Sequence, residues 1–231
     1  HGYELELRLN HTFNNGIRAW LNTSMTHAVN KVKFRDDAPL KPDYQKGAGH
    51  AINQVYSYID HGNLATWDDV IGSPVWTTGN DAKLPGDYNI VDFNGDGVID
   101  ADDRAPYQYS TMPQNTYNAS IGAEWKGFDL SLVFQGAAQR TIFRTGDNNG
   151  NEIWRIPMKA LYLNTSNQSV GNTWSPENRG AYYPTYSNKN EINDYNYQAS
   201  SWSVEDGSYI RLKNVTLGYN VPSAFLAKTK A

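Results

Sequence analysis

The stretch "YNASIGAEWKGFDLSLVFQG", residues 117–136, decides how the rest of the chain is read. Tyr117, Ala119, Ile121, Ala123 and Trp125 alternate with Asn118, Ser120, Gly122 and Glu124. After Lys126-Gly127, Phe128, Leu130, Leu132 and Phe134 alternate with Asp129, Ser131 and Gln135. A period of two belongs to a strand, whose successive side chains point to opposite faces. Lys126-Gly127 is a tight turn, so the stretch predicts a β-hairpin.

The same period recurs at both ends of the chain. Leu5, Leu7 and Leu9 alternate with Glu4, Glu6 and Arg8. Asn14-Asn15-Gly16 is a turn signal, and a second strand of about 14 residues is expected from Ile17, through Ala19, Leu21 and Met25, to about Asn30. In "SYIRLKNVTLGYNVP", residues 208–222, Ile210 and Leu212 lie on one phase and Val215, Leu217 and Tyr219 on the other. A bulge near Asn214 would reconcile them. Between these strands lie residues 31–106, with one short candidate strand at Ile52–Ile59, and residues 140–200, with a short helix possible near Ile153–Leu163.

Five strands joined by short turn, long segment, short turn, long segment put both tight turns at one end. Both long segments then leave from the other. Outer-membrane barrels have this asymmetry, with short periplasmic turns and long extracellular loops. A soluble domain with two long insertions is less usual. The fold class expected is all-β, part of a large antiparallel transmembrane β-barrel with long extracellular loops at 31–106 and 140–200. Five strands cannot close, so residues 1–231 are read as a fragment of one barrel domain. Leu5, Leu7, Leu9, Ile121, Leu130 and Leu132 would face lipid; Glu4, Glu6, Arg8 and Glu124 would face the lumen.

Composition agrees with this class. The 231 residues include 16 Tyr and 7 Trp, yet the mean hydropathy is −0.67. Rings with polar handles suit membrane interfaces and carbohydrate contacts. The net charge of −4 offers nothing to nucleic acid, and the absence of cysteine excludes disulfides and thiolate metal sites. No apolar run is long enough for a transmembrane helix, and no signal peptide is read.

The acidic stretch "DFNGDGVIDADDR", residues 92–104, needs relief from its own charge. With Asp92 as position 1 of a twelve-residue calcium loop, Asn94 is 3, Asp96 is 5, Gly97 is 6, Val98 is 7, Asp100 is 9 and Asp103 is 12. A hard cation wants six to eight oxygens, and Gly97 permits the sharp turn. The side chains of Asp92, Asn94, Asp96, Asp100 and Asp103, with the Val98 carbonyl, are the expected Ca2+ ligands in residues 92–103. Asp103 replaces the usual Glu and reaches less far. Ile99 would anchor the loop, and Asp102 would be solvated. Pro85-Gly86 and Pro106 exclude full flanking helices, so the ion would pin a long loop, with affinity on the order of 10⁻⁴ to 10⁻³ M. An Asx-rich turn without an ion is the other reading.

No catalytic residues are expected. The five histidines lack metal spacing, and the pairs Glu205/Asp206 and Glu191/Asp194 read as solvated acids. Trp67, Trp76, Trp154 and Trp174 fall in the long segments, where they either stack on sugars or pack the loops.

Taken in order, "VDFNGDGVIDADDR", "YNASIGAEWKGFDLSLVFQG", "TWSPENRGAYYPTY" and "SYIRLKNVTLGYNVP" resemble the C-terminal part of SusC/RagA-type TonB-linked outer-membrane proteins of Bacteroidetes. "KGFDLSLVFQG" and "SYIRLKNVTLGY" are the most specific pieces. The resemblance is firmest from Asp87 to Pro222; over residues 1–80 only "GHAINQVYSYIDHG" is similar. It implies a 22-stranded barrel with an N-terminal plug, a SusD-like surface lipoprotein as lid, and TonB as the partner that opens the plug. It implies glycans or peptides as cargo, outer-membrane lipid around the barrel, and no enzyme activity. The plug, the TonB-box region, the earlier strands and the final strands are absent from residues 1–231. The alternative is a soluble extracellular calcium-stabilised β-module that binds carbohydrate.

Overall fold

The computed structural model describes residues 1–77, 79–143, 170–185, 195–196 and 198–223. The chain forms two compact units. One comprises His1–Lys31, Tyr109–Arg140 and Asp206–Ala231; the other comprises Val32–Gln108 and Thr141–Glu205.

The first unit is a five-stranded antiparallel meander of β1 (Gly2–Thr12), β2 (Arg18–Ala28), β3 (Asn115–Trp125), β4 (Phe128–Ala138) and β5 (Tyr209–Tyr219), each neighbour in space being the neighbour in sequence. Every strand is 11 residues long, the length that crosses a bilayer when tilted. The second strand has 11 residues where its alternation suggested about 14, although the Val29 amide still bonds the His1 carbonyl at 2.9 Å, one pair past the strand's end. The β1–β2 turn closes with the Gly16 amide on the Phe13 carbonyl at 2.9 Å. In the β3–β4 turn Lys126 and Gly127 both take positive φ, 47° and 88°, the two-residue form whose twist matches the strands.

Register turns the alternation into faces. Leu9, Leu21, Ile121, Leu132 and Val215 stand opposite one another across all five strands. His11, Ala19, Ala123, Leu130 and Leu217 form the next row, and Leu7, Thr23, Ala119, Phe134 and Leu212 the row on the other side. The opposite face carries Glu6, Ser24, Asn118, Gln135 and Arg211, then Thr12, Arg18, Glu124, Asp129 and Gly218. Arg18 Nη1 lies 3.5 Å from Glu124 Oε2, and Arg211 donates to Gln135 Oε1 at 3.0 Å. Trp20 is a large ring on this polar face. It lies against Gly122, where any Cβ would overlap the indole.

The bulge expected near Asn214 is present. Val133 faces Asn214 but Phe134 faces Leu212, so Lys213 is the extra residue. It returns Ile210 and Leu212 to the face of Val215 and Leu217; without it half of β5 would be inverted. The apolar face stays open in this sheet: Leu5 is 61% exposed and Leu217 73%. Trp125, Phe128 and Tyr219 edge it at the turn end, and Tyr117 lies toward the other end. Tyr117 and Trp125 are about 26 Å apart along β3, or roughly 20 Å along a membrane normal at a tilt near 40°.

The second unit is built from short pieces. Tyr56–Ser57 pairs with Ala105–Pro106, Asp60–Asn63 with Tyr88–Ile90, and Val75–Trp76 runs parallel to Val98–Ile99. The candidate strand at Ile52–Ile59 is therefore only the two-residue Tyr56–Ser57, followed by Asp60–Asn63. A six-residue helix, Trp67–Gly72, starts on a reciprocal Thr66–Asp69 capping box. The helix considered at Ile153–Leu163 lies outside the described residues. The core of this unit is Tyr58, Trp76, Ala82, Ile90, Ile99 and Tyr195. Trp76 meets Tyr195 edge-on at 5.1 Å.

Polar groups are buried in this core with partners. Asp87 is fully buried; it accepts from the Leu84 amide (2.7 Å) and from Asn196 Nδ2 (2.9 Å). Asn196 Oδ1 accepts in turn from the Tyr88 amide at 3.0 Å, and the Tyr195 hydroxyl donates to the Tyr88 carbonyl at 2.7 Å. Lys83, equally buried, donates to the Pro74 carbonyl (2.6 Å) and Ser73 Oγ (3.1 Å), with its ammonium 5.2 Å from the centre of the Tyr195 ring. Burial pushes the Asp87 carboxyl up to about 6, against the hydrogen bonds of Asn196 and Leu84 and the charge of Lys83. Burial pushes Lys83 down to about 8, against the pull of Asp87. Both are thus charged near neutrality.

A carboxyl raised on folding favours the fold below its unfolded value near 3.8 and loses that contribution as pH rises through about 6. A shift of this size is worth on the order of 3 kcal/mol. Lys83 acts in the opposite sense, with its contribution present above 10.5 and lost as pH falls through about 8. Protection of the Tyr88 and Ile90 amides, corrected for intrinsic exchange, should therefore fall between pH 4 and 6 and recover above pH 8. Asp87→Asn should flatten the acid limb and leave the alkaline one. An unchanged acid limb would place its origin elsewhere.

Candidate functional site

Residues 92–103 fold as a loop that turns its acids inward on its own backbone. Asp92 Oδ1 accepts from the amides of Gly95 (2.7 Å) and Asp96 (3.2 Å), and Oδ2 from Gly97 (2.7 Å). Asn94 Oδ1 accepts from the Asp96 amide at 3.0 Å, and Asp96 Oδ1 from the Val98 amide at 2.8 Å. Asp100 Oδ1 accepts from the Asp102 amide at 2.7 Å. Amide N–H groups aimed at carboxylates stabilise charge as a counter-ion would. Burial raises the Asp92 carboxyl, but the amides of Gly97, Gly95 and Asp96 outweigh it and hold the group below its ordinary value.

Asp103 closes the loop. It is fully buried, accepting from the Phe93 amide (2.7 Å) and the Asn94 amide (3.3 Å) with Oδ1 and from the Asp100 amide (2.8 Å) with Oδ2. The short side chain at position 12 thus ties the last turn of the loop to its first. Gly97 takes φ 86°, a left-handed conformation that the sharp turn requires. Ile99 is fully buried in the core and anchors the loop as expected, while Asp102 faces solvent. The flanking elements are the strands Tyr88–Ile90 and Ala105–Pro106 rather than helices.

A clamp outside the loop was not legible in the motif. Gln45 Nε2 donates to the carbonyls of Ala101 (2.8 Å), Asp102 (3.0 Å) and Arg104 (2.9 Å). The Tyr44 hydroxyl donates to the Asp102 carbonyl, and its ring meets Phe93 edge-on at 4.8 Å. Both clamp residues lie 56 to 59 positions upstream of the carbonyls they hold, a separation that no local pattern reveals. Lys83 and Asp87 had a local signal: charged residues on either side of Leu84-Pro85-Gly86, a turn with Gly86 at φ 99°.

The ligand types of a hard-cation site are therefore gathered in one loop. Among the described residues, however, no group of three or more His, Asp or Glu side chains converges as a metal ion would require. The acids of Asp92, Asp96 and Asp103 are instead held by backbone amides.

The tryptophans divide. Trp76 and Trp174 are buried and pack the unit; Trp67 is 58% exposed at the start of its helix, and Trp154 lies outside the described residues. Trp202, which the sequence did not single out, sits in a ring cluster with Tyr88, Tyr182 and Tyr183. His11 and His27 lie on β1 and β2, with His27 Nδ1 2.7 Å from Asn115 Oδ1. Asp206 accepts from the Ser208 amide; Glu191 and Asp194 lie outside the described residues.

No family model matches the chain. Two curated proteins of Formosa agariphila are similar to it. TonB-dependent receptor P3 is 28% identical over 244 aligned residues, covering 99% of this chain and 22% of the receptor. TonB-dependent receptor P26 is 32% identical over 146 residues, covering 62% of this chain and 13% of the receptor. The chain therefore spans about a fifth of the length of the first relative. Among solved structures, the RagAB peptide transporter superposes with a TM-score of 0.66 at 18% identity, over 98% of this chain and 23% of that one. The RagAB peptide importer in its closed-closed state gives a TM-score of 0.63 at 19% identity, over 97% and 23%. These relatives are receptors and transporters rather than enzymes. In sequence the chain is similar to part of these TonB-dependent receptors, and in fold to part of the RagAB peptide transporter.

Proposed function

We propose that the chain belongs to an outer-membrane importer driven through TonB, which takes up an oligosaccharide or a peptide together with a SusD-like surface lipoprotein. The two-faced meander carries this reading. Its largely apolar rows, of which Leu9, Leu21, Ile121, Leu132 and Val215 form one, suit lipid, and its opposite face of Glu, Arg, Asn and Ser suits a wet lumen. The long segments between β2 and β3 and between β4 and β5 would then be extracellular. The relatives support the importer class, and the RagAB transporter is itself named for peptide. The test is growth on oligosaccharide or on peptide as sole nutrient. Loss of growth on one of them when either the receptor or TonB is removed is the expected result; unchanged growth on both would overturn the reading.

The lipid face makes a separate demand. Leu132 lies in the central apolar row. Leu132→Arg should destabilise the barrel by about 2–4 kcal/mol near mid-membrane. Unfolding of the protein in lipid vesicles measures this, and a change below about 0.5 kcal/mol would mean that this face does not meet lipid.

Calcium is proposed for residues 92–103 on their donor chemistry. Asp92, Asn94, Asp96, Asp100 and Asp103, with the carbonyl of Val98, would hold it, and the ion would pin the loop against proteolysis. The amide-held arrangement competes with this, because those carboxylates are already engaged. Calcium should slow proteolytic cleavage within residues 92–103 and a chelator should restore it, with Asp96→Asn blunting the effect. Cleavage that ignores both would leave the loop as a self-satisfied Asx turn.

A further inference from the structure

The second unit contains a cavity of about 490 Å³ within residues 32–56, lined by Arg35, Lys41, Gln45, Gln54 and Tyr56 among others. That volume is in the range of small-molecule sites. We propose that this cavity binds a small ligand through a carboxylate, with Arg35 and Lys41 as the anion-binding groups and Tyr56 as a flat wall.

The charge distribution points to an anion. Residues 32–56 hold four basic and three acidic side chains, within a chain of net charge −4. The acids are mostly engaged. Asp43 pairs with Lys46 at 2.5 Å. Asp37, nearly buried, accepts from the amides of Gly47 (2.8 Å) and Ala48 (3.3 Å) and pairs with Arg35 Nε at 3.6 Å. Among the described residues no carboxylate pairs with Lys41. The cavity wall therefore carries one shared and one unshared cation. A singly charged carboxylate matches that balance better than a doubly charged phosphate. The planar guanidinium can still offer its remaining N–H groups in the fork that carboxylates accept.

The walls are preorganised. Gln45 is held by the three carbonyls of residues 101–104, and the Tyr56 hydroxyl donates to the Lys46 carbonyl at 3.2 Å. The Arg35 stem lies over Gly47, where a Cβ would overlap it, so the side chain is laid along the cavity. Tyr56 is braced edge-on by His50 at 5.8 Å. Fixed walls bind with less ordering entropy to lose.

The carboxylate could come from a peptide terminus or from an acidic sugar, and matched probes separate the two. The whole protein, purified in detergent, is titrated by calorimetry with an N-acetyl dipeptide acid and its amide, and with a diuronic acid and the corresponding neutral disaccharide. At least one acid should bind about tenfold or more tighter than its neutral partner, and which pair does so names the source. Lys41→Gln should cut that preference at least about threefold, whereas Lys41→Arg should keep it, which controls for misfolding. Equal binding of acid and neutral forms in both pairs, or a preference undiminished by Lys41→Gln, would overturn the proposal. Binding is read without TonB, so failure of import with this preference intact would count only against the importer reading.

Discussion

Backbone pairing across five antiparallel strands is the constraint on which the first unit rests. Each strand has eleven residues, and each inner strand is paired on both sides. A strand that meets an apolar phase can leave no N–H or C=O unpaired on the inside of the sheet, because each such group would cost several kcal/mol. Pairing at fixed register then determines which side chains share a face. One residue of slip would send Leu130, Leu132 and their row to the polar side. The bulge at Lys213 exists within that logic, absorbing a phase change in β5 without breaking the apolar rows.

The second unit solves a different problem with different means. It has short ladders, and its core joins Ala82, Ile90 and Ile99 to the rings of Tyr58, Trp76 and Tyr195 and to buried polar groups. Tyr195 packs against Trp76 while its hydroxyl serves the backbone of Tyr88; Asn196 joins Asp87 to the same strand. This explains why the chain is rich in tyrosine and yet polar on average. A tyrosine buries a large apolar area and still pays its hydrogen-bond debt, which suits a core threaded by loop backbone.

Gln45 connects two features of that unit. Its side chain lines the cavity and its amide is held by carbonyls of the last turn of the acidic loop. The loop ends in Asp103, whose buried carboxylate gathers the amides of Phe93, Asn94 and Asp100. Any change in how residues 100–104 are held would therefore be felt at the cavity wall through one side chain.

The alternation at 117–136 was enough to place a hairpin, its turn and both of its faces, because a period of two is a local property of the chain. The phase break at 210–219 likewise foretold the bulge, and the spacing at 92–103 foretold Gly97 as the turn and Ile99 as the anchor. The end of β2 was overestimated, since the alternation runs on through Val29 and Asn30 while the regular strand stops at Ala28. What the sequence could not reveal depends on contacts between distant positions: Gln45 reaching residues 101–104, and Tyr195 and Asn196 reaching 87–90. The period of a strand is written in neighbours along the chain. Partners fifty or a hundred residues apart are chosen only when backbone groups that have no ladder must find a donor or acceptor in the folded unit.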